Sequence, residues 1–327
     1  MNYEKLTAKK KQLDGLPPLA DRLVRNLDDW FRVELTYASN AIEGNTLTRH
    51  ETAMVVEKGI SVGGKSLTEH LEAVNHVAAL DWVRAQVRRK SSRVTQKDIL
   101  HIHTLILKGI DDSNAGQYRS VAVRISGAAV VLPNPRKVSA LMDAFAKWLG
   151  ASKKRHPIEL AAEAHYRLVS IHPFVDGNGR TARLLMNMIL LMSGYPPAII
   201  RKRDRLVYLN ALEKAQLGGA KDDYDKIIMA AVNRSLDIYI KAANGEDAEQ
   251  SASDKFLKIG ALAKQAGESN ATIRHWTKHG LLEIAEITDA GYHLYDVDMI
   301  ERIKEIHALK TQRLTLNEIK EGLVETI

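Results

Sequence analysis

Apolar residues along most of this chain recur every three or four positions, the spacing of one face of an α-helix. Between residues 19 and 41 the larger apolar side chains fall on one side of such a helix: Leu23, Leu27, Trp30, Phe31 and Leu35. Glycine and proline, which interrupt helices, are few, at 20 and 8 among 327 residues. The pattern therefore predicts a mainly α-helical protein.

Several predicted helices carry start signals. Thr48-Arg49-His50-Glu51 and Ser66-Leu67-Thr68-Glu69 have the spacing of a capping box, in which a hydroxyl and a carboxylate satisfy the free N–H groups of a first turn. Thr95 caps a further helix over residues 96–108. Three more apolar segments predict helices: Val138–Leu149, Ile158–Ile171 and Leu184–Met192.

One segment has the texture of strands. Val121, Val123 and Ile125 alternate with smaller or polar residues, and residues 128–132 follow as a second short strand before Pro133. A β-hairpin among helices has no sheet to join, so we expect either a functional flap or a surface hairpin packed on helices.

A change of composition divides the chain. Residues 244–254 are small and polar and contain no large apolar side chain, which indicates a linker. The linker separates a large helical part, residues 1–243, from a smaller module, residues 255–327.

The smaller module has the pattern of a winged helix-turn-helix. Helices over Ile259–Ala266 and Asn270–His279 are joined by the tight turn Gly267-Glu268-Ser269. Ile284–Ile287 and His293–Tyr295 then predict a two-stranded wing, and two closing helices follow.

Composition bears on compartment and partners. The absence of cysteine excludes disulfides and cysteine-based zinc sites. The lysine-rich N-terminus lacks the apolar core of a secretory signal, and the longest strongly apolar run, Leu184–Met192, is too short to span a bilayer. We therefore expect a soluble cytoplasmic protein. The net charge is +7, but residues 255–327 contain 10 Lys and Arg against 11 Asp and Glu, so the excess lies before them.

The densest chemistry lies in a loop between two predicted helices. It comprises His172-Pro173-Phe174-Val175-Asp176-Gly177-Asn178-Gly179-Arg180-Thr181-Ala182-Arg183. The Gly177–Gly179 turn permits positive φ just before a helix N-terminus, where N–H groups and the helix dipole favour anions. Arg180 and Arg183 suit phosphate oxygens. Asp176 suits Mg²⁺ shared with substrate phosphates, and His172 suits proton transfer. This set indicates phosphate-group transfer.

The same stretch resembles the signature of the Fic (Fic/DOC) family, H-x-F-x-[D/E]-G-N-G-R-x-x-R, at every fixed position. The resemblance implies a helical domain with a β-hairpin flap that transfers AMP from ATP, with Mg²⁺, to a Tyr, Thr or Ser hydroxyl of a target protein or of itself. The implied roles are a base at His172, a metal ligand at Asp176, and ATP binding by Gly177, Asn178, Gly179, Arg180 and Arg183.

A second motif, Ser39-Asn40-Ala41-Ile42-Glu43-Gly44, resembles the family's inhibitory pattern, [S/T]-x-x-x-E-[G/N]. The resemblance implies that a helix over about residues 19–45 carries Ser39 and Glu43 beside the active site, and that Glu43 pairs with Arg183 and blocks productive ATP binding. Two alternatives stay open. Glu43 is a solvated residue at a helix C-terminus, or it activates water to remove AMP.

Two further regions carry looser matches. Residues 121–132 resemble the family's flap, which implies that a target protein docks there by strand addition. Tyr208 and Asn210 resemble a stretch that borders the adenine pocket and are assigned to ATP binding, although Tyr208 equally suits a helical core. The family core would span about residues 95–220, and a homodimer is one expected assembly because many relatives form dimers.

The C-terminal module resembles the MerR-type winged helix at Thr272–Trp276, Gly280–Leu282 and Gly291–Tyr295, which implies DNA as a partner. Its wing has His293 where that family usually has arginine, and the module is not basic, so docking of a protein is supported equally well. Two other overall functions stay open: a DNA-binding regulator with a nucleotide-sensing Fic domain, and a scaffold for a partner.

Overall fold

The computed structural model describes residues 2–89, 94–152, 154–245, 256–287, 292–297, 299–311, 316, 318 and 319. The chain divides into two compact units, residues 1–245 and 246–327, each with its own hydrophobic core. Most of the expected linker, residues 244–254, and most of the second closing helix expected from Thr315 lie outside the described residues.

All regular secondary structure in the described residues of the first unit is helical. Its helices are α1 Tyr3–Asp14, α2 Asp21–Ile42, α3 Arg49–Lys58, α4 Leu67–Arg88, α5 Gln96–Leu107, α6 Pro135–Ala151, α7 Pro157–Ile171, α8 Asn178–Met192, α9 Arg205–Gln216 and α10 Asp222–Ala243. A short 3-10 helix, Lys202–Asp204, precedes α9. The sequence pattern did not predict α1, because its polar, lysine-rich surface leaves Leu6 as its buried residue.

Helix α8 forms the centre of the first unit. Every residue from Thr181 to Leu190 is buried, as expected for a helix that is apolar on all sides. It packs most extensively against α7, while α4 and α5 cover its other flanks. The loop of the signature motif therefore joins two helices that are fixed in the core, so its side chains project from a rigid base.

The predicted capping boxes are confirmed. Thr48 Oγ1 accepts a hydrogen bond from the backbone N–H of Glu51 at 3.2 Å, and Ser66 Oγ accepts one from Glu69 at 3.2 Å. These caps fix the starts of α3 and α4, the two helices that follow α2. The polypeptide after Glu43 turns sharply and stays close to α4, where Asn45 contacts Glu69 and Glu72.

The second unit has the predicted helix-turn-helix and wing. Its elements are β1 Phe256–Lys258, α11 Ile259–Ala266, α12 Asn270–Lys278, β2 Glu286–Ile287, β3 His293–Asp296 and α13 Met299–Thr311. The strands form an antiparallel sheet in the order β1-β3-β2, in which Leu257 pairs with Tyr295. The pattern missed β1, which has only three residues. Trp276 and Tyr295 fill the core beneath the sheet.

The β-hairpin expected over residues 121–132 is not formed as a strand pair. These residues are all described, and they contain a turn at Ser126 and Gly127 but no ladder of cross-strand hydrogen bonds. Alternation of apolar and polar residues predicted strands, but the exposed Val121 and Val131 have no buried face to occupy. The two ends of the segment are instead held by one arginine, which is described below.

Candidate functional site

His172 ends α7 in a left-handed backbone conformation, with φ 50° and ψ 60°. It is the one non-glycine residue with positive φ in the described part of the chain, and such strain concentrates at functional sites. Its Nδ1 lies 3.3 Å from the carbonyl oxygen of Val169. Because a carbonyl only accepts, Nδ1 carries the proton of the neutral ring, and Nε2 keeps a lone pair to receive a proton.

Burial lowers the pKa of His172 below its usual value of 6.5, and this effect outweighs the Val169 hydrogen bond and the charges of Glu43 and Asp176, which act in the other direction. The ring is therefore neutral at physiological pH, as a general base requires.

The loop after His172 is closed by buried polar contacts. Asn178 Oδ1 accepts a hydrogen bond from the Phe174 N–H, and Asn178 Nδ2 donates to the Phe174 carbonyl, both at 3.0 Å. Phe174 stacks on His103 of α5, with ring centroids 3.6 Å apart. The side chain of Asn178 is thus structural, while its backbone belongs to the open end of α8.

His103 supports the loop from below, a role that the sequence analysis missed. The Gly116 N–H donates to His103 Nδ1 at 2.9 Å, so Nε2 carries the ring proton and donates to the Asp176 carbonyl at 2.9 Å. Burial lowers the pKa of His103 to about 4, so the ring stays neutral and this polarity is stable. A histidine on an apolar helix face carries no sequence signal that distinguishes it from an ordinary core residue.

The N-terminus of α8 is open to an anion. Gly177 is its N-cap, with φ 72°, and within the described chain no side chain caps it. A carboxylate already lies there. A Cβ built at Gly179 would overlap Glu43 Oε1 and approach Arg183 Nη1 to 3.0 Å. The absence of a side chain at Gly179 therefore gives the Glu43 carboxylate its place beside the first turn of α8.

Arg183 is held by α2. Its Nη2 donates to Glu43 Oε1 at 2.6 Å and to the Ser39 carbonyl at 2.9 Å, and its Nε donates to Ser39 Oγ at 2.9 Å. The Arg183 side chain is 6% exposed, whereas that of Glu43 is 35% exposed. The structure thus brings together Ser39, Glu43 and Arg183, as the resemblance implied.

A third arginine steadies the end of α2. Arg205, at the start of α9, donates from Nε to the Ile42 carbonyl at 2.7 Å. Burial acts to raise the pKa of Glu43, but the charges of Arg183, Arg180 and Arg205 together lower it. Glu43 is therefore ionised at neutral pH and forms a charged pair with Arg183.

Arg180 is held by a different helix. Its Nη1 donates to Glu72 Oε1 of α4 at 2.7 Å, and its Nη2 donates to Asp176 Oδ2 at 3.1 Å. Its side chain is 2% exposed. Each signature arginine is therefore paired with a carboxylate from outside α8, and Glu72 is a site residue that the sequence analysis did not identify.

Asp176 fits the part of a magnesium ligand. Its side chain is 65% exposed at the mouth of the loop, and its contact with Arg180 uses Oδ2. The described residues contain no group of three His, Asp or Glu side chains that could hold a metal. A single carboxylate is nevertheless the donor set typical of Mg²⁺ that is bound together with nucleotide phosphates.

Tyr208 and Asn210, which were assigned to the border of the adenine pocket, differ in their exposure on α9. Tyr208 is 1% exposed, and its hydroxyl donates to His165 Nε2 at 2.8 Å. His165 Nδ1 in turn meets Tyr224, whose hydroxyl donates to the Ala162 carbonyl. Tyr208 is thus a buried residue whose hydroxyl has a partner in the core, and this hydroxyl also interacts with the Arg183 guanidinium. Asn210 lies on the exposed face of α9.

Arg119 ties residues 120–134, which contain the flap, to His172. This arginine is 3% exposed, and its guanidinium donates to three carbonyls: His172 at 2.7 Å, Val121 at 3.1 Å and Pro133 at 2.7 Å. Its own N–H donates to the Pro173 carbonyl at 2.9 Å. Both ends of the flap are thus tied to His172 through Arg119.

Comparison with known proteins shows which families this chain resembles. A family profile described as "Fic/DOC family" matches residues 93–190, and one described as "MerR HTH family regulatory protein" matches residues 257–325. A Fic domain containing signaling protein from Bacteroides thetaiotaomicron superposes with a TM-score of 0.68 at 31% identity, over 76% of this chain and 99% of that one. The chain belongs to the Fic/DOC family.

Curated Fic relatives carry a functional name. "Protein adenylyltransferase Fic" of Culex quinquefasciatus is 37% identical over 244 residues, which are 74% of this chain and 48% of that protein. The protein of the same name from Nematostella vectensis is 39% identical over 239 residues, 72% of this chain and 55% of that protein. The chain thus spans about half the length of the curated relatives it matches. No helix in its described part is long and apolar enough to cross a membrane.

Replacement of Arg119 by alanine is expected to loosen residues 120–134, because three carbonyl oxygens lose a charged donor. We expect the free energy of unfolding to fall by about 2–4 kcal/mol. Hydrogen exchange followed by mass spectrometry measures the first effect and urea unfolding the second. Arg124→Ala removes an exposed arginine from the same segment and should change neither. Equal exchange in the two variants would contradict the assignment.

Proposed function

We propose that this protein is an adenylyltransferase that transfers AMP from ATP to a Tyr, Thr or Ser hydroxyl of a target protein or of itself. The observation that carries the proposal is the start of α8, where an open helix N-terminus, a neutral histidine, an exposed carboxylate and two arginines meet. The name shared by the curated relatives supports the same activity.

In the proposed reaction the target hydroxyl oxygen attacks the α-phosphorus of ATP. The bond from this phosphorus to the bridging oxygen breaks, and pyrophosphate leaves with the electron pair. His172 Nε2 takes the hydroxyl proton, since Nδ1 is occupied by its bond to Val169. The N–H groups at Gly177–Gly179 bind phosphate oxygens, and Arg180 and Arg183 bind the β- and γ-phosphates. Such transfers depend mainly on position and charge stabilisation.

Asp176 would hold Mg²⁺, whose chemistry there is to neutralise phosphate charge. Its exposure at the mouth of the loop leaves it accessible to a metal that arrives with the nucleotide. His103 fixes the backbone of Asp176 and so orients this carboxylate.

The Glu43 carboxylate acts as an inhibitor in this proposal. It lies against Gly179 and takes Nη2 of Arg183, so it competes with a phosphate for both groups. Productive binding of the triphosphate then requires Glu43 to leave. Ser39 and Arg205 add to the inhibition, because they hold Arg183 and the end of α2 in register.

The alternative that Glu43 activates water to remove AMP receives less support from this arrangement. A general base should have a pKa near the working pH. The charges around Glu43 lower its pKa, which strengthens its pairing with Arg183 and makes it a weaker proton acceptor.

The flap is proposed as the docking site for the target. Residues 121–132 make one backbone hydrogen bond among themselves, from the Ala128 N–H to the Ile125 carbonyl, and no cross-strand ladder, so an extended target segment could add to them as a strand. Val121 and Val131, which are 54% and 92% exposed, would gain apolar contacts with it. Arg119 would keep the docked segment in register with His172.

Glu43→Gly is expected to raise incorporation of α-labelled AMP by roughly a hundredfold. Release of Arg183 supplies about 2–4 kcal/mol of transition-state charge stabilisation, by analogy with one oxyanion-hole donor. Incubation with α-labelled ATP and Mg²⁺, followed by mass spectrometry for added AMP, measures the change. A further His172→Ala exchange should abolish the label. Equal labelling by wild type and Glu43→Gly would refute inhibition by Glu43.

The pH dependence of the Glu43→Gly variant should reflect the lowered pKa of His172. A base whose pKa is depressed stays unprotonated to lower pH, so the acid limb of the pH–rate profile should lie below pH 6.5. Steady-state labelling at saturating ATP between about pH 5 and pH 8, a range that brackets the usual histidine pKa of about 6.5, measures the position of this limb. A limb above 6.5 would mean that another group limits the rate.

A second candidate function concerns the C-terminal unit, for which we propose contact with DNA. Ser269 caps α12 by accepting the Thr272 N–H at 3.0 Å, and Arg274 and Lys278 are exposed on this helix. A gel shift at two salt concentrations should show retention that weakens with salt and is lost in Arg274→Ala/Lys278→Ala. Retention that is unaffected by this double exchange would reject the α12 surface.

A further inference from the structure

Glu72 is joined to both halves of the site. One carboxylate oxygen, Oε1, accepts Arg180 Nη1 at 2.7 Å, and the other, Oε2, accepts Asn45 Nδ2 at 2.8 Å. Its side chain is 16% exposed. Asn45 is itself 7% exposed and its Oδ1 accepts the Leu47 N–H, so it cannot follow a movement of Glu72 without losing that bond. Each oxygen of the Glu72 carboxylate therefore has a hydrogen-bond partner.

Arg180 depends on its two carboxylates for its position. Its Nε is buried and has no partner among the described residues, so Glu72 and Asp176 alone hold the guanidinium by its Nη atoms. The shorter contact is with Glu72, at 2.7 Å against 3.1 Å for Asp176. The positive charge of Arg180 is thus balanced by two carboxylates, and the closer of them, Glu72, faces away from solvent.

This sharing has a consequence for Asp176. An arginine that is paired with one carboxylate alone places its full charge beside it, and a positive charge within a few ångströms opposes a bound cation. Because Glu72 offsets Arg180, Asp176 retains the negative charge that a divalent cation needs. Without Glu72 the start of α8 would gain one unit of positive charge.

We propose that Glu72 is a positioning residue that sets the metal dependence of nucleotide binding. Glu72 holds Arg180 toward α4 and balances its charge. The Asp176 carboxylate is then available to bind Mg²⁺ instead of neutralising Arg180. This inference rests on the proposed function for the presence of a nucleotide, but it concerns binding and does not require AMP transfer.

The proposal predicts effects of opposite sign in Glu72→Gln. The added positive charge should tighten binding of the metal-free nucleotide, which carries the most negative charge, and should weaken the gain that Mg²⁺ provides. We expect the ratio of the Kd in EDTA to the Kd in Mg²⁺ to fall by about tenfold, a size that follows from one uncompensated charge a few ångströms away. If Glu72 had a purely structural role, Glu72→Gln would raise the Kd in EDTA and the Kd in Mg²⁺ by the same factor.

Isothermal titration calorimetry of α,β-methylene-ATP against Glu43→Gly, with Mg²⁺ or with EDTA, measures this ratio. Glu72→Gln is made in the same background, and Glu72→Asp, which keeps the charge, should restore the ratio. Asn45→Ala removes the other partner of Glu72 but leaves Arg180 paired, so it should keep the ratio of the Glu43→Gly parent.

Three results would overturn the proposal: an unchanged ratio in Glu72→Gln, a common loss of affinity with and without Mg²⁺, or the same fall of the ratio in Asn45→Ala. A Glu43→Gly parent that binds the analogue but transfers no AMP from ATP would defeat the proposed function alone. The ratio would still decide the role of Glu72.

Discussion

Two guanidinium groups buried at the start of α8 constrain the elements around them. A buried charge without a partner is strongly unfavourable, so Arg180 and Arg183 must each meet a carboxylate that other helices bring into the core. Helix α4 brings Glu72 to the first, and α2 brings Glu43 to the second. The positions of α2 and α4 around α8 are therefore part of the electrostatics of the site and not only of its packing.

The same constraint makes the site reversible. A nucleotide triphosphate is an alternative partner for a buried arginine, since it offers charged oxygens where the carboxylate did. In the proposed mechanism Arg183 exchanges Glu43 for phosphate and is unpaired in neither state. Glu43 is 35% exposed, so it can move into water when displaced, whereas the more enclosed Glu72, at 16%, stays as a fixed counter-charge. The two ion pairs are similar but differ in exposure, so we expect Glu43, and not Glu72, to leave its arginine.

Sequence was sufficient for the loop and for the helices with clear local signals, although it missed α1. The capping boxes at Thr48 and Ser66 and the apolar face of α2 are short-range patterns, and all three predicted helices are present. Partners across the fold were out of reach. Glu72 and His103 act through contacts with residues 108 and 73 positions away, and nothing in their neighbourhoods indicates this.

The flap shows the converse error: its local pattern was interpreted correctly, but its tertiary setting differed. Val121, Val123 and Ile125 alternate as a strand does, yet Arg119 binds the two ends of the segment by their carbonyls and no ladder forms. Tyr208 lies on the predicted helix, and its buried hydroxyl meets His165, a contact that the sequence does not indicate.

Gly179 is a position where evolutionary substitution is constrained by two groups at once, the Glu43 carboxylate and the first N–H groups of α8. The space that a methyl group would fill is the place where Glu43 lies, and the adjacent N–H groups are those that a phosphate would use. A side chain at this position would overlap Glu43 Oε1. Under the proposed function, a change at Gly179 therefore alters inhibition and nucleotide binding together. Ser39 and Arg205 offer separate positions for change, because they hold Arg183 and the end of α2 from outside α8.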